Sequence, residues 1–221
     1  MAAECPQSIQ ACGLRVTLLD SQGNVAPEPN NSITQTDLVT IGFSPEIEAG
    51  TDLTVKTGCD QIGATYRGAD LLKRFNLTMD KLNLSPAFVS MVLGAPVILD
   101  GSDPIGWDWP NQSACGGGED PPFVAVEFWS VAWECGGPNP GFPYWHWVFP
   151  MARFQIGDAE FSNTAFFQPA LTGFTLNNPL WGHGPYGDDP GQVIGELGSV
   201  WLTDTAPPAA VCGYSSVTPS S

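Results

Sequence analysis

The chain has 221 residues with a net charge of −16, seven basic against 23 acidic side chains, 25 glycines, 21 prolines and 43% apolar residues. That length supports one large or two small domains, and the turn-rich composition favours an all-β fold over a helical one. Residues 1–81 hold six basic and ten acidic side chains, whereas residues 82–221 hold Arg153 against thirteen acids, so the second half has no basic patch for neutralising phosphates.

The N-terminal MAAECPQSIQACG has neither a basic nor an apolar leader region, which argues against a secretory signal. Residues 13–20 alternate as a first strand and residues 20–24 read as a turn. Residues 25–35, with two Asn and two Pro, read as a loop or arm. Residues 38–43 are β-rich, and residues 53–57 alternate Leu/Val with Thr/Lys. Gly58-Cys59-Asp60 supplies a turn from which residues 62–67 return as a hairpin arm, and residues 72–80 alternate again. One helix is predicted over 86–93, with Ser85 as N-cap, Pro86 at its first position and Gly94 as terminator. Phe88, Val89, Val92 and Leu93 recur at helical spacing on its core face.

Residues 96–99 read as a short strand and about 100–122 as an irregular insertion. Its Gly116-Gly117-Gly118 has no following Lys-Ser/Thr, so a phosphate cradle is not supported. Residues 123–133 (FVAVEFWSVAW) are apolar on both faces, as expected of a central strand, and residues 144–149 (YWHWVF) return beside it. This aromatic crowding fits core or interface packing, and a sugar-binding platform is the competing reading. Residues 151–156 and 159–161 read as a hairpin about Gly157-Asp158, residues 166–176 as a further strand, residues 177–191 as loop and residues 200–203 as the last strand. The domain therefore spans residues 1–205, followed by a polar arm or disordered tail at 206–221. The longest uncharged run, residues 161–187, is broken by Pro169 and Pro179 and does not read as a membrane span.

Cys5, Cys12, Cys59, Cys115, Cys135 and Cys212 form no Cys-x-x-Cys pair, which leaves a zinc site poorly supported. Reduced thiols are expected, and Cys5–Cys12 and Cys115–Cys135 are the first pairings to test if bridges form later. Neither a Gly-x-Ser-x-Gly elbow nor a His-Glu-x-x-His motif occurs. The carboxylate pairs Glu127/Glu134 and Asp188/Asp189 lie near tryptophans, as in a glycoside hydrolase, but spacing in sequence fixes no separation between them. The expectation is a protein that is not an enzyme and uses no cofactor and no metal.

The run IGFSPEIEAG at 41–50, Gly58-Cys59 and the spacing of Tyr66, Asp70 and Lys73-Arg74 are followed by Val126-Glu127-Phe128-Trp129, Pro143-Tyr144-Trp145, Gly173 and Asn177-Asn178-Pro179. In this order they resemble the major tail protein, or tail tube protein, of long-tailed bacteriophages (siphophages) of actinobacterial hosts. The resemblance implies a mainly β, tail-tube-type β-sandwich or flattened barrel with one packed α-helix and long loops or arms. It further implies a structural virion protein whose partners are itself, in hexameric rings stacked helically, and the tape measure, tail tip and tail terminator proteins. DNA would pass through the lumen without specific binding. The location implied is the virion tail, assembled in the host cytoplasm, with no membrane association. Lys56, Arg67, Lys73, Arg74 and Lys81 are the subunit-interface candidates, and Glu46, Glu48 and Asp52 the lumen or inter-ring acids. A carbohydrate-binding β-sandwich module is the alternative.

Overall fold

Alternation of apolar and polar side chains builds the strands, and one short apolar run between a serine and a glycine builds the helix. The computed structural model describes residues 6–81, 85–110, 120–134, 136–158, 163, 170–185, 187, 190, 196–211 and 213–217. In chain order these form β1 (Gln7–Leu19), β2 (Ser32–Gln35), β3 (Leu38–Glu48), β4 (Asp52–Lys56), β5 (Ile62–Arg67), β6 (Leu71–Lys81), α1 (Pro86–Leu93), β7 (Val97–Asp100), β8 (Asp103–Trp107), β9 (Phe123–Glu134), β10 (Gly137–Pro138), β11 (Tyr144–Ile156), β12 (Ala170–Thr175) and β13 (Ser199–Thr203). The protein is mainly β with one helix, as its sequence predicts. No helix among the described residues is long and apolar enough to cross a membrane.

The main sheet is antiparallel and runs β2-β1-β9-β11-β12-β6-β3, with β10 added to β9 and β13 to β11. Its end strands, β2 and β3, are joined by Thr36 and Asp37 alone. Seven flat strands would place the ends about 29 Å apart, whereas three Cα steps reach at most about 11 Å. The sheet must therefore roll until its ends meet. The buried cluster confirms this, because Leu14, Val16 and Ile33 from one end pack with Leu77 and Met79 from the other.

Helix α1 fills the concave side of the roll. The Ser85 hydroxyl accepts a hydrogen bond from the Phe88 N–H at 3.3 Å, and Gly94, at φ 70°, donates its N–H to the Ser90 carbonyl at 2.9 Å. Ala87 and Met91 are buried along with Phe88, Val89, Val92 and Leu93. The helix is apolar nearly all round because β7 and β8 cover it on the side away from β1, β9 and β11.

Several elements differ from the sequence reading. Residues 25–35 contain β2, whose Ser32, Ile33 and Thr34 are buried; only Ile33 is apolar, so no alternation marks the strand. The 100–122 insertion begins with β8, hydrogen-bonded to β7, while residues 111–119 lie outside the described residues. Residues 144–149 and 151–156 are a single strand, β11, whose register with β9 shifts between Phe149 and Ala152, around Pro150. Its later half pairs with β12, and the return strand expected at 159–161 lies outside the described residues. The tail is pinned as far as Val217. Ser32 and Ser215 exchange both backbone hydrogen bonds, and Asn31 holds the Val217 N–H and carbonyl through its side-chain amide, each at 2.7 Å. Those bonds satisfy the backbone of an unpatterned segment, which sequence periodicity does not report.

Phe88→Ala should lower stability by about 3–5 kcal/mol and Ser85→Ala by about 1 kcal/mol, measured by equilibrium urea unfolding. A loss of less than about 1 kcal/mol for Phe88→Ala would remove the helix from the core.

Candidate assembly surface

Strands β3 and β6 outrun their neighbour. β12 covers β6 only over Asn76–Asp80, so, among the described residues, residues 71–75 of β6 pair with residues 45–48 of β3 and with no further strand. The chain continues from this overhang into the β4–β5 hairpin, and together they form an arm. At its base a side chain on Gly50 would collide with the Gly68 carbonyl, so glycine permits the two crossing segments to touch. The Gly50 N–H also donates to Asp70 Oδ1 at 2.9 Å, and the Gly68 N–H to the Thr51 carbonyl at 2.8 Å.

Four of the five predicted basic interface residues lie on this arm, and each meets an acid of its own chain. Glu46 takes Arg74 Nε at 2.6 Å and Lys73 Nζ at 3.1 Å, Lys56 Nζ lies 3.3 Å from Asp60, and Arg67 lies 3.4 Å from Asp70. Hydrogen bonds from Arg74 and then Lys73 hold the Glu46 carboxyl below its ordinary range. Arg74 also lies 5.0 Å from the centre of the Phe174 ring. Glu48 and Asp52 are exposed, and Asp52 sits opposite Arg67 in the hairpin register. Exposed pairs of this kind contribute at most about 1 kcal/mol each, so they exchange partners at little cost. The fifth residue, Lys81, is buried within its own chain beside Asp37 and Gln35, away from any surface that another chain's acid could reach.

The apolar side of the arm stands out more than its charges. Side chains two apart share a strand face, so Leu53 and Val55 of β4 stand with Ala64 and Tyr66 of β5, and Thr54 and Thr65 stand on the opposite face. Leu53, Val55, Ile62 and Tyr66 are 57%, 62%, 68% and 62% exposed. A two-stranded hairpin is at best marginal in water, and this one keeps its apolar face uncovered. Ile47, Leu71 and Leu72, in the overhang between the hairpin and the body, are exposed as well.

Beside the arm's root the sheet forks, because β11 pairs with β13 over Tyr144–Val148 and with β12 over Ala152–Ile156. The fork leaves a groove of about 160 Å³ lined by Phe43, Phe75, Trp147, Phe149 and residues 198–200. Among the described residues β13 pairs only with β11, and β3 only with β6. Two strand edges on either side of an aromatic groove therefore have no pairing strand among the described residues. The YWHWVF run contributes Trp147 to this groove and to stacking on Phe128, at 5.6 Å between ring centres.

The opposite face of the sheet holds a cluster that resembles catalytic chemistry. Arg15 donates to both Glu127 oxygens, at 2.6 and 2.5 Å, and His146 Nε2 lies 3.3 Å from Glu127 Oε1. His146 stacks on Trp129 at 4.1 Å and meets Trp201 at 4.4 Å. Burial pushes the Glu127 carboxyl up, but the Arg15 charge, the nearby His146 and the hydrogen bonds from Arg15 outweigh it and hold the carboxyl below its ordinary range. All three side chains are sealed, and the carboxylate is already neutralised, so the arrangement clamps β1, β9 and β11 together. Glu134, an odd number of residues along β9 from Glu127, points to the other face and accepts from Asn139 at 2.6 Å. The pair Glu127/Glu134 therefore does not converge, and Asp188/Asp189 lies outside the described residues. Cys12 and Cys59 are free thiols, while the other four cysteines also lie outside the described residues.

The chain matches no protein-family model and no curated protein.

Glu127 titrates lower in the folded chain than its unfolded value of about 4.3. Its contribution is therefore complete above that pH and is lost as pH falls through the lower folded value. Glu127→Gln should cost about 3–5 kcal/mol at neutral pH by removing the buried carboxylate that Arg15 holds in a two-point pair, and should flatten the acid limb of a stability–pH curve. An unchanged acid limb would mean that other carboxylates control it.

Proposed function

We propose that this chain is a structural virion protein that polymerises as stacked hexameric rings into a phage tail tube, the channel for genome delivery. The ring number and the tube rest on the resemblance carried by residues 41–50, 58–59 and 66–74. The observation that supports self-association most directly is the amphipathic β4–β5 hairpin, held clear of the body with its apolar face uncovered. Covering that face, and pairing the open edges of β3 and β13, gives each subunit a reason to recruit another. A ring closes such edges, whereas stacking of rings does not close and yields a filament.

In this reading the subunit's partners are other copies of itself and the tape measure, tail tip and tail terminator proteins, the last three limiting the filament's length. The net charge of −16 suits a channel along which DNA slides without adhering. Glu46, Lys73 and Arg74 sit where the arm leaves the body, and exchange of their bridges between subunits would set register. Glu48 and Asp52 are the remaining candidates for lumen or inter-ring acids.

Electron microscopy of the concentrated protein tests this reading. Rings or tubes are expected from the native chain, and Val55→Asp with Tyr66→Asp should leave a folded monomer with an unchanged melting temperature. Arg74→Glu should abolish assembly or make it salt-sensitive. A native chain that stays monomeric at every concentration and binds a glycan array would overturn the proposal in favour of a carbohydrate-binding module.

A further inference from the structure

We propose that Lys81 and Gln35 become joined by an isopeptide bond that closes the rolled sheet covalently. Gln35 ends β2, at one end of the sheet path, and Lys81 ends β6, the strand beside β3 at the other end. The Lys81 side chain is completely buried. Its Nζ touches Gln35 Oε1, lies 2.9 Å from Asp37 Oδ1 and sits 4.0 Å from the centre of the Phe88 ring. An amine, a carboxamide and a carboxylate thus meet against an apolar wall. Asp37 is the partly open member of the three, with 28% of its side chain exposed. The Gln35 amide nitrogen lies 3.4 Å from the Ser85 hydroxyl. Burial pushes the Lys81 ammonium below its ordinary range against the opposing hydrogen bond and charge of Asp37, which raises the share of neutral, nucleophilic amine.

The reaction is a transamidation and needs no oxidant. Asp37 takes a proton from Lys81 Nζ, and the freed lone pair attacks Gln35 Cδ, one bond beyond the oxygen that Nζ already touches. A new N–C bond forms, and the carbonyl electrons move onto oxygen. They return as the Cδ–Nε2 bond breaks: Asp37 passes its proton to the departing nitrogen, which leaves as ammonia, and then takes the second proton that Nζ sheds in becoming an amide N–H. Confinement supplies the rate, since well-oriented intramolecular groups reach effective molarities of about 10⁵–10⁸ M. A bond between residues 35 and 81 would enclose all of β3 to β6 in one covalent loop, closed at the end of β6 away from the arm. The inference stands on this triad and does not require the tube reading.

Denaturing intact-mass analysis of the purified full chain tests it. The expected product is lighter than the sequence mass by one ammonia, with a branched proteolytic peptide joining Gln35 to Lys81. Lys81→Met, which keeps an apolar stem, and Gln35→Ala should both restore the mass expected from sequence. Asp37→Asn, verified as folded by circular dichroism, should leave Lys81 and Gln35 unjoined. A folded native chain of full sequence mass, with Lys81 recovered in a linear peptide, would overturn the proposal. So would an ammonia loss mapped to any other residue.

Discussion

Thr36 and Asp37 impose the constraint on which the rest of the structure depends. They connect two strands that terminate opposite ends of a seven-strand path, so the sheet has to roll. Rolling creates a concave side that α1 fills, and it brings Leu14, Val16 and Ile33 against Leu77 and Met79. It also carries Lys81 to Gln35 and Asp37 at the seam. Without this closure Lys81 would be a solvated cation near the end of a strand; with it the side chain is fully buried and held by neighbours from β2 and the link itself.

The outer side of the roll is secured differently. Arg15, Glu127 and His146 come from three adjacent strands; Arg15 and Glu127 neutralise each other, and His146 sits beside the carboxylate between Trp129 and Trp201. Removing one partner of a buried pair is far costlier than the pair is worth, so this cluster enforces register. Around it, Asn178 donates to the carbonyls of Gly23 and Pro150, tying the segment after β12 to two other parts of the chain. The body is thus fixed on both faces. The arm is not, because β3 and β6 extend past β12 and carry the β4–β5 hairpin beyond the last sheet neighbour. A body tied together by buried clusters thus carries an amphipathic, uncovered arm.

Some of this is legible in the sequence, and the reasons are local. Leu53 to Thr57 and Ile62 to Arg67 alternate about a turn, and Ser85-Pro86 with Gly94 brackets α1, so both elements announce themselves within a few residues. β2 does not, because Ser32, Thr34 and Gln35 surround a single apolar side chain and the strand is defined by its neighbours. The ordered tail is hidden for the same reason. Arg15, Glu127 and His146 each interrupt an otherwise apolar strand, a visible anomaly, but 112 residues separate Arg15 from Glu127 and only register pairs them. Lys81 is the instructive case. Its place among charged residues suggests a surface, whereas strand parity puts it on the same face as Leu77 and Met79, which are buried. The arm's charges were legible as a cluster, and the pairing of each with an acid of its own chain was not.

The central claim is that the arm is a surface awaiting a second copy of the chain. Hydrogen exchange followed across concentration measures this most directly, since local protection reports whether a hairpin is covered. The account predicts that amides of β4 and β5 exchange fast in dilute protein and slow sharply as the protein is concentrated, while those of β9 stay slow throughout. Arm amides whose exchange is the same in dilute and concentrated protein would contradict it.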